Sequence, residues 1–221
     1  MAHAPENTAL SLVTAEQLGV DEVEFDVRVS SDGVAVISHD DHLGRVLGAE
    51  DAPSVSASTW AQLQALQLPR GQRLLTFAEG LELTQADLQV EVKAASAAAV
   101  VAEVLADYPD EQRRCMLTSF QVPILAELQH LLPDLPRGVI ADAYTDEVRQ
   151  AAASVKATTV LTGWDGLTPK VVEELHAGGL RVAVWPVRDQ QDADRAVELG
   201  VDMITADAPA AARDWLDAST A

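Results

Sequence analysis

The sequence is poor in cysteine and in positive charge. Cys115 is the only cysteine among 221 residues, so an intramolecular disulfide is excluded and a reducing compartment, the cytoplasm, fits best. There are 15 Lys and Arg residues against 35 Asp and Glu, which leaves a net charge of −20. Such a charge repels nucleic-acid backbones and anionic membrane surfaces. We therefore expect no nucleic-acid partner, and an anionic ligand requires a local cationic site.

Long apolar runs are also missing. No stretch reaches the roughly 18 apolar residues of a membrane span, and the amino terminus lacks the basic patch and apolar core of a secretory signal. We expect a small-molecule ligand and no stable membrane anchor, although a start upstream of Met1 would leave room for a signal. The sequence does not indicate an oligomeric state. Hydrophobic residues make up 48%, enough for one core, so we predict a single domain over residues 1–221.

Strand-like and helix-like segments alternate almost to the end of the chain. This alternation predicts a parallel sheet wrapped by helices. Seven of the strands fit a (β/α)8 barrel, which needs eight, and the chain opens on the helical pattern TALSLVTAEQLG with no strand before it. We predict an α/β fold, a TIM-type (β/α)8 barrel that lacks its first strand. The stretch from residue 40 to 75 reads as a long connection with a short helix at TWAQLQAL.

Acidic side chains recur inside two apolar runs, VEFDVR and LQVEVK. Because side chains alternate along a strand, Glu24 and Asp26 share one face, and Glu91 and Lys93 share another. Three buried carboxylates need a cation or a proton, and without a second cysteine or a histidine cluster they favour Mg²⁺ or Ca²⁺. Two alternatives stay open. The first run can be a solvated edge strand, and Lys93 can be either an ion-pair partner of Glu91 or a phosphate ligand.

A turn signal, Ser31-Asp32-Gly33, separates the first acidic run from the apolar run GVAVISH. The pattern predicts a hairpin. A hairpin would return His39 toward the carboxylates, where it becomes a candidate general acid or base.

Taken in order, several segments resemble the glycerophosphodiester phosphodiesterases, a family of TIM-barrel enzymes. The resemblance spans almost the whole chain and includes PENT, EFD, DG, HD, LLTFAEGL, VEVK, TSF, VWPV and GVDMITADAP. It implies that Glu24, Asp26 and Glu91 bind Ca²⁺ or Mg²⁺, that His39 is one of two acid/base histidines, and that Lys93 lies close to the phosphate. It also implies that Trp185 lines the pocket, although a plain core role for Trp185 is an alternative.

The chain departs from this family at its amino terminus. Family members begin with a strand that ends in His-Arg-Gly, where the His is the other acid/base and the Arg binds phosphate. Here His3 precedes Pro5 by two positions and is followed by Ala4, so neither spacing nor arginine fits. Three explanations stand: a start placed too late, a short form that binds metal and phosphate without turnover, or His3 in the role of the missing histidine. We favour the first, and we expect His3 to be an exposed terminal residue.

The expected activity is metal-dependent hydrolysis of glycerophosphodiesters to sn-glycerol 3-phosphate and an alcohol. That substrate class follows from the resemblance alone. Two alternatives remain beside it. One is a catalytically impaired family member that binds metal and a phosphate ligand. The other is a phospholipase D-like enzyme acting on lysophospholipids, which fits less well because those relatives are secreted and disulfide-bonded.

Overall fold

The β-branched runs of the sequence form one nine-stranded sheet, and the amphipathic segments between them form helices. The computed structural model describes residues 2–220. Its strands are β1 Glu22–Val29, β2 Ala35–Ile37, β3 Leu75–Thr76, β4 Asp87–Val92, β5 Cys115–Ser119, β6 Arg137–Ala143, β7 Thr159–Asp165, β8 Arg181–Val184 and β9 Met203–Ile204. Its α-helices are α1 Ala9–Gln17, α2 Gly44–Leu47, α3 Trp60–Leu63, α4 Phe77–Leu83, α5 Ala95–Asp107, α6 Pro109–Gln112, α7 Val122–Leu131, α8 Asp146–Ser154, α9 Pro169–Ala177, α10 Gln190–Leu199 and α11 Pro209–Ser219, and a 3₁₀ turn covers Pro69–Gly71.

Seven strands, β1 and β4 to β9, run parallel and pair in chain order. Their outward residues pack under the helices in the main core, and a smaller cluster that includes Met116, Ile140 and Leu161 fills the inner face. Neighbouring strands lie about 4.8 Å apart, so β5 and β8, three strands apart, would be far from each other in a flat sheet. Yet Arg181 of β8 lies 4.0 Å from the Met116 sulfur of β5. The sheet is therefore curled around its inner face, as the prediction of a TIM-type barrel with seven core strands requires.

The curled sheet has an open seam between β1 and β9. Within residues 2–220, β9 pairs only with β8, and the edge of β1 that faces away from β4 pairs with β2 only from Val27 to Val29. A cleft of about 840 Å³ lies between the two strands and is lined by residues of β1, β9, α1 and α11. The seam lies where a closed eight-stranded barrel would have one more strand.

The predicted hairpin is present and extends the sheet beyond β1. β2 pairs antiparallel with β1, with Val27 opposite Ile37, and Gly33 in the turn has a φ of 83°. β3 then pairs with β2. The long connection that follows the hairpin packs around its own apolar cluster, which includes Val36, Leu43 and Leu63. Across residues 2–220, no helix combines the length and the apolarity needed to cross a bilayer.

Candidate metal and phosphate site

The carboxylates predicted to converge do lie together on neighbouring strands, two on β1 and one near the carboxyl end of β4. The parallel register places Asp26 beside Glu91, and Glu24 lies two residues earlier on the same face of β1. One oxygen from each of the three side chains lies within 4.8 Å of the other two. Asp26 is 3% exposed and Glu91 is 7% exposed, so this part of β1 is not a solvated edge.

Burial sets the electrostatics of this carboxylate cluster. Loss of solvation raises the pKa of Glu24 well above its ordinary value, and the charges of Asp26 and Glu91 raise it further. Burial also raises the pKa of Glu91, although the hydrogen bond and charge of Lys93 and the charge of His39 partly offset the rise. Three close carboxylates thus carry more negative charge than their surroundings neutralise, which is the condition for binding a cation.

Lys93 is the internal counter-ion of the cluster. Its Nζ lies 2.7 Å from Glu91 Oε1 and 3.0 Å from Asp26 Oδ1. Burial alone would lower the pKa of this ammonium, but the two carboxylates outweigh that effect and raise it. The ion pair that the sequence offered as one role for Lys93 is therefore present, and contact with a phosphate stays a prediction.

The carboxylate cluster fits a hard divalent cation. One ion that touches three oxygens at roughly 2.3 to 2.6 Å requires those oxygens to lie within about 5 Å of each other, a condition that the cluster meets. The donor set is oxygen only, which Ca²⁺ and Mg²⁺ prefer over softer ligands. Glu24, Asp26 and Glu91 are the residues that would hold such an ion.

The loop before α1 also contacts the cluster. Asn7 has a φ of 55°, a left-handed backbone that asparagine tolerates better than most residues. Its side-chain amide donates to Asp26 Oδ2 at 2.8 Å. Asn7 belongs to the PENT segment of the resemblance, from which no role was predicted for it. The contact joins residues 19 positions apart, so spacing along the chain could not reveal it.

The hairpin brings the chain back to β1 at Ser38, the residue before His39, and a catalytic role for His39 stays a prediction. Ser38 N donates to the Asp26 carbonyl at 3.0 Å, which fixes the end of β2 beside the cluster. His39 Nδ1 lies 2.7 Å from Asp40 Oδ1, and Arg28 Nε donates to the His39 carbonyl at 2.9 Å. A carboxylate only accepts hydrogen bonds, so Nδ1 is the donor and Nε2 is left for other partners.

Asp40 is held in turn by Arg45, whose Nε donates to Asp40 Oδ2 at 2.6 Å. Burial would raise the pKa of Asp40, but the hydrogen bonds from His39 and Arg45 outweigh it and hold the pKa below its usual value. Arg45 also grips Glu6 with both terminal nitrogens, Nη1 to Oε2 at 2.8 Å and Nη2 to Oε1. We call the four residues Glu6, Arg45, Asp40 and His39 the rim chain.

His3 is exposed, as expected, and lines the open seam. Its carbonyl accepts a hydrogen bond from Arg70. The structure therefore ties the backbone of His3 to the 3₁₀ turn. An acid/base role for its ring stays an untested alternative.

Trp185 follows β8 and meets Phe120, which follows β5. The two rings contact edge to face, with centroids 5.8 Å apart and planes at 85°. Lys93 Nζ lies 5.8 Å from the centre of the Phe120 ring. Trp185 Nε1 is buried and has no hydrogen-bond partner among residues 2–220. Phe120 is 42% exposed and was assigned no role from the sequence. The signals for it were its position directly after a buried strand and the TSF segment of the resemblance.

Comparison with known proteins agrees with this geometry. A sequence model of the glycerophosphoryl diester phosphodiesterase family matches residues 1–211. The chain belongs to this family. A family relative, a glycerophosphodiester phosphodiesterase of Caldanaerobacter subterraneus subsp. tengcongensis, is 25% identical over 222 aligned residues, which cover 94% of this chain and 90% of the relative.

Solved structures of similar proteins have the same fold. A phosphodiesterase from Oleispira antarctica, solved with the product sn-glycerol-3-phosphate, superposes with a TM-score of 0.90 at 24% identity and covers 98% of this chain and 93% of its own. A glycerophosphodiester phosphodiesterase from Parabacteroides distasonis superposes with a TM-score of 0.86 at 22% identity and covers 100% and 94%. At these identities the structures establish the TIM-type fold of the family.

Proposed function

We propose that this chain hydrolyses glycerophosphodiesters to sn-glycerol 3-phosphate and an alcohol, with one Ca²⁺ or Mg²⁺ ion held by Glu24, Asp26 and Glu91. The observation that carries the proposal is the convergence of three carboxylates, Lys93 and the His39 loop at one end of the sheet, in a member of a phosphodiesterase family. The complex of the Oleispira antarctica protein with sn-glycerol-3-phosphate supports the choice of product.

An ion held by Glu24, Asp26 and Glu91 would polarise the phosphoryl oxygens and would offset the charge that develops on them. Lys93, already aimed at the cluster, binds a phosphate oxygen with its ammonium. Water adds to phosphorus and gives up a proton to His39 Nε2, which carries no proton while Nδ1 donates to Asp40. The bond from phosphorus to the alcohol oxygen breaks, and that oxygen takes up a proton from solvent, so the number of protons is unchanged. Trp185 and Phe120 form the apolar wall beside the phosphate.

The test is release of sn-glycerol 3-phosphate from glycerophosphocholine with added Ca²⁺ or Mg²⁺. We expect turnover in the wild type, none in Asp26→Asn, and a loss of about 100-fold or more in His39→Gln, since general acid–base catalysis contributes about that much. Asp110→Asn serves as the control because that side chain is 81% exposed. Equal rates in Asp26→Asn and Asp110→Asn would refute the proposed site.

A second candidate is binding of a metal ion and a phosphate ligand without turnover, for which the carboxylate cluster and Lys93 would be sufficient. Titration calorimetry with Ca²⁺ and sn-glycerol 3-phosphate separates the two: binding of both, with no hydrolysis of any diester, supports this candidate. A lysophosphatidylcholine arm tests the phospholipase D-like alternative, and choline release from that lipid but not from glycerophosphocholine would favour it.

A further inference from the structure

Arg45 connects two segments that are distant in sequence at the rim of the site. Its Nε bonds Asp40, five residues earlier, and its two terminal nitrogens bond Glu6, 39 residues earlier. A guanidinium that engages two carboxylates in this way is fixed in plane as well as in position. One of those carboxylates is the partner of His39 Nδ1.

We propose that Arg45 is a positioning residue, which orients Asp40 and thereby sets the tautomer and direction of the His39 imidazole. The inference rests on the proposed function in taking His39 as the group that accepts a proton from the attacking water. With Asp40 held by Arg45, His39 carries its proton on Nδ1 and presents Nε2 as a base.

The exposure of these side chains explains why such a device is needed. His39 is 52% exposed, so packing leaves its ring free to turn, and its bond to Asp40 is what restrains it. Asp40 is itself 30% exposed and Arg45 is 51% exposed. Glu6 is 15% exposed, and it ties the outer end of the rim chain to the protein. Glu6 therefore restrains Arg45, Arg45 restrains Asp40, and Asp40 restrains the His39 imidazole.

The loop before α1, which carries Glu6, also contacts the carboxylate cluster at Asp26. Asn7, next to Glu6, donates to Asp26 Oδ2 at 2.8 Å. The loop before α1 thus contacts the carboxylate cluster through Asn7 and contributes Glu6 to the rim chain. This arrangement keeps His39 and the carboxylates in one frame, as transfer of a proton from water that attacks a substrate bound at the cluster requires.

An ordinary surface ion pair is the competing explanation, because exposed pairs contribute little. The chain provides a matched control in Arg73, which binds Glu79 with both terminal nitrogens at 3.0 and 2.6 Å and is 48% exposed. Its partner Glu79 caps α4 instead of contacting a histidine. Arg73→Met therefore removes the same kind of pair without touching His39.

The experiment uses the full chain and two readouts on the wild type, Arg45→Met, Glu6→Gln and Arg73→Met. The first is kcat and KM for glycerophosphocholine with Ca²⁺. The second is the side-chain nitrogen NMR spectrum of His39, assigned by comparison with His39→Gln, which reports which ring nitrogen carries the proton. We expect Arg45→Met to lower kcat by about 10- to 100-fold, the range for removing the outer partners of site residues. KM should change less than about threefold, because no substrate contact is lost.

In the spectra, Arg45→Met should turn a signal of protonated Nδ1 into that of mixed tautomers, Glu6→Gln should do so in part, and Arg73→Met should change neither readout. If Arg45→Met does not fold, Glu6→Gln carries the test on the same terms. A wild-type tautomer in both rim variants would overturn the proposal, as would equal losses in Arg45→Met and Arg73→Met. The spectra do not require turnover. A wild type that hydrolyses no diester would refute the proposed function, and the His39 spectra would still test whether Arg45 sets the tautomer.

Discussion

The acidic residues on the inner face of β1 have different surroundings along the strand. Glu22, Glu24 and Asp26 alternate along one face, but only the latter two join the carboxylate cluster. Glu22 Oε1 is buried and has no hydrogen-bond partner among residues 2–220. Burial raises the pKa of Glu22 from 4.5 to about 7, with Arg181 lowering it and Asp87 raising it. This carboxyl group therefore titrates near neutral pH.

Glu22 should make the stability depend on pH. The folded protein holds the Glu22 proton more tightly than the unfolded chain between pH 4.5 and about 7, so the free energy of unfolding falls as pH rises through that window. Glu22→Gln cannot ionise, and we expect it to be more stable than the wild type at pH 8 by about 1 to 3 kcal/mol, with little or no gain at pH 5. Urea unfolding at both pH values measures this.

Glu103→Gln is the control for Glu22→Gln because it removes one negative charge from an exposed position on α5. Its effect on stability should be nearly the same at both pH values. Parallel pH profiles for the two variants would mean that Glu22 is not held protonated by burial.

Which site residues were predictable depends on how far apart their partners are along the chain. Glu24 and Asp26, and Glu91 and Lys93, follow from strand alternation, which is a local property. Asn7 contacts Asp26, 19 residues away, and Arg45 contacts Glu6, 39 residues away. Glu6 lies in the loop before α1, which has no periodic pattern. Such contacts are set by the tertiary fold alone. Alternation along the strand also could not distinguish the two predicted roles of Lys93. Its ion pairs with Asp26 and Glu91 depend on the pairing of β1 with β4.

At the scale of elements, every segment that the sequence missed is short, although the short α3 and β9 were predicted. All of the long strands and helices carry a period that identifies them. The elements that were missed are short: β3 has two residues, α2 and α6 have four each, and α4, noted only as a resemblance, has seven. The two helices of four residues hold only about one turn, too little for a period to show. β3 pairs with β2 of the hairpin, α2 packs on the second apolar cluster, and α6 contacts α5.

The pairing of β6 with β7 depends on one glycine. The register shifts between Ala141 and Ala143, and a Cβ added at Gly163 would lie 2.1 Å from the Asp142 carbonyl oxygen. We expect Gly163→Ala to reduce the free energy of unfolding by about 1 to 3 kcal/mol or more, because backbone must move to admit the methyl group. Denaturant unfolding measures the change.

Gly178→Ala is the matched control for Gly163→Ala. Gly178 has a φ of −81°, which alanine adopts without strain, and its nearest neighbour to an added Cβ is 3.3 Å away. It should change stability much less. Equal effects of the two substitutions would show that β6 and β7 can separate at the shift without penalty.

For the whole molecule, the number of core strands and the barrel-like sheet were predicted from the sequence, but the side-chain contacts that the curled sheet creates were not. Seven parallel strands and one missing position follow from counting β-branched runs. The curl that brings β5 and β8 together, and with it the contact of Phe120 with Trp185, arises from packing of the inner face. The site thus combines carboxylates that a local pattern identifies with aromatic and rim contacts that depend on the curled sheet.

The net charge of −20 attracts cations to the whole surface of the molecule as well as to the carboxylate cluster. An ion that binds only the folded protein stabilises it, by about 2.7 kcal/mol at 100 times its Kd. For a chain of this size each kcal/mol raises Tm by about 2 to 4 °C, so saturating Ca²⁺ or Mg²⁺ should raise Tm by roughly 5 to 11 °C. The measurement is made in about 0.15 M salt, where surface charges are already screened. A rise in Tm on adding the divalent ion is then not due to general screening.

Asp26→Asn should abolish this rise in Tm, because it removes one of three ligands and leaves the amide of Asn7 without its acceptor charge. Asp110→Asn removes one negative charge, as Asp26→Asn does, from a side chain that is 81% exposed, and it should keep the full rise in Tm. An equal rise in both variants would mean that the ion acts on the surface field of the molecule. A rise in the wild type and Asp110→Asn that is lost in Asp26→Asn would localise it to the carboxylate cluster of β1 and β4, whether or not any diester is turned over.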